Sequence, residues 1–306
     1  MKNTLSVLIL QGFFLGAYAQ QDMMVSKYMF NGLFLNPAYG GTHPYFTTSL
    51  LYRTQWTGLS GAPKTQLFEL DGPIAKEKMG VGCIISHDKI GVTEQTDFFA
   101  TYSYKIQLGK DKLSFGLRAG VSDCRAHLAS LTYWDANDVV FRNDIKSALV
   151  PKFGFGIYYY SEKYYTGLSI PTLIAYDKDY RFSIDLEKSS YLRRHYYFNG
   201  GYIFTLNELL KLKPSILIKY SPTVPLQADI NVSILYKERI WFGTSFRTGD
   251  AVVFLVEYQT SNRIRIGYAF DYTISNLQKY SNGSHEIMVA YDLGKEKIKI
   301  ATPRFF

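Results

Sequence analysis

From residue 45 to residue 293 the chain alternates apolar and polar positions, in runs of about ten residues separated by turn-forming residues. The clearest run is 226–234. Leu226, Ala228, Ile230, Val232 and Ile234 share one face, and Gln227, Asp229, Asn231 and Ser233 share the other. In 113–121 the polar face is Ser114, Gly116, Arg118 and Gly120. In 96–106, Phe98, Ala100, Tyr102, Tyr104 and Ile106 stand against Asp97, Thr101, Ser103 and Lys105. A period of two predicts strands. About fourteen such runs lie near 45–57, 64–72, 79–88, 93–107, 112–124, 150–160, 164–171, 194–204, 212–220, 225–236, 240–247, 251–259, 264–271 and 285–293.

The gaps between the runs carry separate information. Every second connection is short: 108–111, 161–163, 237–239 and 260–263. The alternate set includes the long stretches 125–149, 172–193 and 272–284, with Thr248-Gly249-Asp250 as a short exception. An even strand number with this parity predicts an all-β fold, a transmembrane antiparallel β-barrel with short periplasmic turns and long external loops. Two soluble β-domains could hold as many strands, but nothing in them would require long and short connections to alternate.

The ends depart from the pattern. Lys2, an apolar run over 5–15 and Ala17-Tyr18-Ala19 form a secretory signal peptide over 1–19, with cleavage near Gln20. The apolar run is shorter than the roughly 20 residues a spanning helix needs. Segment 20–44 lacks alternation but carries Tyr28, Met29, Phe30, Leu33, Phe34, Leu35 and Tyr39, and it includes the turn-forming string Asn36-Pro37-Ala38-Tyr39-Gly40-Gly41. Leaving those apolar groups in water costs about 25 cal/mol per Å². The segment is therefore expected to be ordered, either inside the lumen as a plug or packed on a periplasmic partner. The barrel is expected over 45–293, followed by a basic tail over 294–306 that ends Pro303-Arg304-Phe305-Phe306.

Composition fits the barrel. The chain holds 26 Tyr and 21 Phe, with aromatics at 16% and charged residues at only 20%, which suits strands with an apolar outer face. The net charge is +8, but the basic residues are scattered and form no basic helix or RNA-binding motif, so no nucleic-acid partner is expected. Cys83 and Cys124 are the two cysteines, outside any CxxC motif. A disulfide and two free thiols are both open.

No catalytic constellation is legible. The histidines at 43, 87, 127, 195 and 285 have no metal-ligand spacing, and there is no G-x-S-x-G elbow. His285 and Glu286 are neighbours in a strand-like run, so they point to opposite faces. Gly80-Val81-Gly82 and Gly154-Phe155-Gly156 sit inside strand-like runs, where glycine leaves room in a crowded lumen. The expectation is a non-enzyme without metal or cofactor. The inward charges Asp97, Lys105, Arg118, Asp229, Arg247, Glu257, Arg265 and Asp271 either close the lumen as ion pairs or line a polar path. Arg53, Gln55 and Trp56 are expected to form a structural or partner-facing cluster at the external end of the first strand.

Several strings resemble the PorP/SprF family of the Bacteroidetes type IX secretion and gliding machinery. They are Ser26-Lys27-Tyr28-Met29-Phe30-Asn31, Leu35-Asn36-Pro37-Ala38-Tyr39-Gly40-Gly41, Tyr52-Arg53-Thr54-Gln55-Trp56, Gly61-Ala62-Pro63, Gly267-Tyr268-Ala269-Phe270-Asp271-Tyr272 and Gly283-Ser284-His285-Glu286-Ile287, with the Pro303-Arg304-Phe305-Phe306 close. Their order and spacing span almost the whole chain. Gly40 stands where alanine is more usual. The resemblance implies an outer-membrane barrel that helps secrete or anchor a cell-surface adhesin through the adhesin's C-terminal signal domain, in gliding, adhesion or general secretion. Its expected partners are that adhesin or another type IX substrate, periplasmic and outer-membrane secretion components, and outer-membrane lipid. Tyr28, Phe30, Asn36, Pro37, Tyr39, Arg53, Gln55 and Trp56 are then the candidate partner or plug contacts. The alternative is a porin or hydrophobic-solute channel.

Overall fold

The computed structural model describes residues 23–130, 144–146, 149–175, 194–222, 224–260 and 263–294. The expected signal peptide, and the basic tail beyond Gly294, lie outside the described residues. One antiparallel sheet accounts for nearly everything else. Two of its sixteen strands are two-residue pieces, Ile145–Lys146 and Phe204–Thr205. The other fourteen are β1 (Phe46–Thr54), β2 (Lys64–Ile74), β3 (Met79–Ile90), β4 (Thr93–Leu108), β5 (Asp111–Ala126), β6 (Val150–Tyr160), β7 (Tyr164–Ala175), β8 (Tyr196–Tyr202), β9 (Leu210–Ser221), β10 (Val224–Tyr236), β11 (Ile240–Arg247), β12 (Ala251–Gln259), β13 (Ile264–Thr273) and β14 (Ser284–Leu293). Each pairs with the next in sequence, and β14 pairs with β1 from Phe46↔Leu293 to Thr54↔His285. The sheet is thus a closed barrel with no free edge.

The strands match the fourteen expected runs. The main differences are at β7, which continues to Ala175, and at β8, which covers only Tyr196–Tyr202. Short turns (75–78, 109–110, 161–163, 237–239 and 260–263) gather at the rim where β1 begins, which marks that rim as periplasmic. At the other rim lie 55–63, 274–283 and the tight connections 91–92 and 248–250, together with the strand ends that 127–149, 176–195 and 222–223 join.

Alternation sets the two faces. Asp229 is fully buried on the lumen side, while its neighbour Ile230 is 53% exposed on the outside. Outward-facing Tyr104, Tyr164, Tyr202, Tyr236, Tyr258 and Tyr291 all sit toward the periplasmic ends of their strands. They form an aromatic girdle at the height where apolar rings meet water and headgroups. Cys83 and Cys124 are not joined by a disulfide. Cys83 follows the outward alternation beside buried Ile84, and Cys124 shares the inward face with Ser122.

The barrel's hydrophobic core lies in its lumen. Inward-facing Leu51, Leu67, Ile84, Phe99, Trp241 and Met288 pack against Val25, Met29, Phe30, Leu33, Phe34 and Tyr39 of the N-terminal segment. That segment contains one helical turn, α1 (Gly32–Leu35), and a 3-10 turn, Pro37–Tyr39. It is buried almost throughout from Met24 to His43.

Candidate functional site: a lumen filled by the chain's own N-terminal segment

Near the external rim the plug meets a network of charges. Arg53 on β1 donates to Asp271 on β13 at 2.8 Å, to Glu286 on β14 at 3.2 Å and to the Ser26 hydroxyl of the plug at 2.8 Å. Arg247 on β11 reaches Asp271 at 3.0 Å and Asp229 on β10 at 3.2 Å, and Lys219 on β9 reaches Asp229 at 3.4 Å. The backbone amides of Ser26 and Lys27 both donate to the Glu286 carboxylate at 2.7 Å. Lys27 then pairs with Glu257 on β12 at 2.9 Å. These groups lie on neighbouring strands because β9 to β14 are consecutive around the barrel and β1 closes onto β14. Opposite charges held this close offset each other's desolvation, but removing one of them strands the rest.

Lower in the lumen the contacts are apolar and aromatic. Phe30 meets Trp241 edge to face, with ring centroids 5.6 Å apart. The ammonium groups of Lys27 and Lys213 stand 5.2 and 5.5 Å from the Phe30 ring centre. Tyr39 bonds His43 at 2.9 Å and packs edge to face on Tyr158 at 5.6 Å.

The second half of the plug is gripped through its backbone. Arg118 donates to the Phe34 carbonyl at 3.2 Å, Ser169 to the Leu35 carbonyl at 2.6 Å, and Ser103 to the Gly40 carbonyl at 2.7 Å. Lys105 donates to the Gly41 carbonyl, and the Gly41 amide donates to Asp71 at 2.7 Å. Asn36 caps the 3-10 turn by accepting from the Ala38 amide at 2.9 Å, and its own amide donates to the Ile157 carbonyl at 3.0 Å. Two inward glycines make this approach possible. A Cβ on Gly116 would lie 2.1 Å from the Ala38 nitrogen, and one on Gly156 would lie 2.0 Å from the Asn36 Oδ1. A cavity of about 10 Å³ remains between the plug and β1–β2, too little for more than about one water.

The structure brings the named residues together unequally. Tyr28, Phe30, Asn36, Pro37 and Tyr39 are all buried within the lumen. Arg53 is parted from Gln55 and Trp56: its side chain turns inward and is 1% exposed, whereas Gln55 and Trp56 stand half-buried in the external loop. Trp56 has φ +45°, a left-handed backbone that is costly for a bulky residue, and its amide donates to Ser284 Oγ at 3.1 Å. All eight charges named from the sequence are inward and buried. Asp97 pairs with Lys152 at 3.2 Å, and Arg265 stands 3.7 Å from Glu257.

Sequence reasoning missed Ser26, Lys27, Asp71, Lys213, Lys219 and Glu286. Glu286 was within reach of the alternation rule. His285 faces out and bonds the Tyr268 hydroxyl at 2.7 Å, so its neighbour had to face the lumen. Among the described residues, no group of three or more His, Cys, Asp and Glu is arranged to hold a metal ion.

The family model described as "Type IX secretion system membrane protein PorP/SprF" matches residues 17–291. Similar solved structures include the outer membrane protein Omp33 of Acinetobacter baumannii. It shares 8% identity at TM-score 0.47, over 83% of this chain and all 100% of that one. The KdgM porin matches at 9% identity and TM-score 0.39, over 81% of this chain and 99% of that one. Outer membrane phospholipase A from Escherichia coli matches at 10% identity and TM-score 0.38, over 83% of this chain and 98% of that one. No curated protein matches the sequence.

Proposed function

The chain belongs to the PorP/SprF family of type IX secretion system membrane proteins, and from that membership we propose that it helps secrete or anchor a cell-surface adhesin through the adhesin's C-terminal signal domain. It is an outer-membrane protein: a closed barrel with an apolar outer face and a tyrosine girdle satisfies its backbone and its surface in a bilayer. Its role there is non-enzymatic. Its partners are the secreted substrate and the periplasmic and outer-membrane components of the machinery, and surface adhesins so anchored would serve gliding or attachment.

The observation that carries this reading is the family match across 17–291. The filled lumen supports it, because a barrel whose core is its own N-terminal segment is suited to holding other proteins rather than passing solutes. The test is deletion of the gene followed by a survey of proteins on the cell surface and in the medium. Loss of one or a few large secreted proteins from the surface, with the remaining surface proteins unchanged, is expected. An unchanged surface would overturn the proposal. Purified full-length protein is expected to give no steady conductance in planar bilayers, and stable open channels would favour the porin alternative.

A further inference from the structure

The direction in which the N-terminal segment crosses the barrel has a topological consequence. Its first described residues lie at the external rim. Met24 lines a cavity with His195, Tyr220, Ser221 and Pro225, at the ends of β8, β9 and β10 that carry the external connections. Lys219 Nζ stands 3.3 Å from the Met24 sulfur. Ser26 follows, bonded to Arg53, Asp271 and Arg247, all within the last few residues of their strands on that side. The chain then passes Glu257 and Trp241, crosses to β5, β6 and β7 through Phe34, Leu35 and Asn36, and reaches the periplasmic end at Gly41, beside Lys105 and Asp71. It becomes β1 at Phe46, on the rim of short turns. The described part of the plug is therefore continuous with the wall at its periplasmic end, and its first described residues lie at the external rim.

We propose that the plug's first described residues, Met23 and Met24, are reached from the outer face of the cell and not from the periplasm. The inference rests on geometry alone: Met24 and Ser26 meet strand ends of the external rim, whereas the periplasmic end of the segment is continuous with β1.

The test uses full-length protein in its native cells. An epitope inserted immediately before Met23 is expected to bind antibody on intact cells. The same epitope at Lys110, in the periplasmic turn between β4 and β5, should bind only after the outer membrane is permeabilised. Heat-dependent gel migration confirms that each variant is folded. If the insertion prevents folding, Met23→Cys on a Cys83→Ser, Cys124→Ser background is probed with a membrane-impermeant maleimide instead. An N-terminal tag or thiol reached only after permeabilisation overturns the proposal.

Discussion

Arg53 is the residue on which the external end of the lumen converges. It satisfies Asp271, Glu286 and Ser26 at once. Arg53→Ala leaves two buried carboxylates short of a partner, a change that costs about 3–5 kcal/mol where a buried pair is broken. Because one lost contact joins plug to wall at Ser26 and the other two hold the carboxylates around it, the expected outcome is transient conductance and protease cleavage near Ser26 in a barrel that still shows heat-dependent migration. Ile230 and Asp229 test the register. Ile230→Arg on the lipid face should destabilise the folded barrel in vesicles by about 2–4 kcal/mol near the midplane, and Ile230→Leu should be close to neutral. Equal tolerance of Arg at both positions would place the strand in the wrong register. Gly116 tests the seat of the plug. Valine suits a strand, but its Cβ would stand 2.1 Å from the Ala38 nitrogen. Gly116→Val is expected to displace the plug and open the lumen without loss of β-structure by circular dichroism.

At the scale of elements, the strands were legible and the plug only half so. Period-two patterning is local: Leu226 to Ile234 announces its two faces without help from any other part of the chain. In β12, expected over 251–259 and found there, the run is a strand but its polarity hardly alternates: Ala251, Val253 and Leu255 face inward and Phe254 and Val256 face lipid. Such a strand is apolar on both faces because its lumen side packs against a plug instead of water, and a single strand gives no sign of that. Segment 20–44 could be recognised as needing cover, yet whether the cover was lumen or partner was open, since apolar area does not name its partner. Deleting 23–41 is expected to yield a folded barrel with steady conductance and a lower resistance to urea, because inward Leu51, Leu67 and Trp241 lose the groups they pack against. A deletion that leaves conductance unchanged would show that the segment does not occlude the lumen.

At the scale of the whole molecule, closure is what makes the chain a membrane protein. The pairing of β14 with β1 removes the last open edge, and in lipid an open edge would leave backbone groups without partners. The intact protein should therefore resist unfolding by detergent until boiled, migrating faster unboiled than boiled, with circular dichroism dominated by strand. A helix-dominated spectrum would contradict the fold. Family membership adds what closure cannot: it assigns this barrel to secretion, whereas an apolar outer face is common to porins and anchors alike.

The sequence by itself determined the strands, their faces, the membrane they suit and the family, because each is written in short-range order: a period of two, turn residues, and strings kept in register. It also placed charges such as Asp229, Arg247 and Asp271 on the lumen side. Only the tertiary structure decided which charge meets which, that Arg53 turns inward away from Trp56, and that Ser26 and Lys27 are clamped by Glu286 and Glu257 more than two hundred residues away. Those pairings depend on how fourteen strands close on themselves and on the path one polar and aromatic segment takes through the space they enclose, and neither is a property of any local stretch of chain.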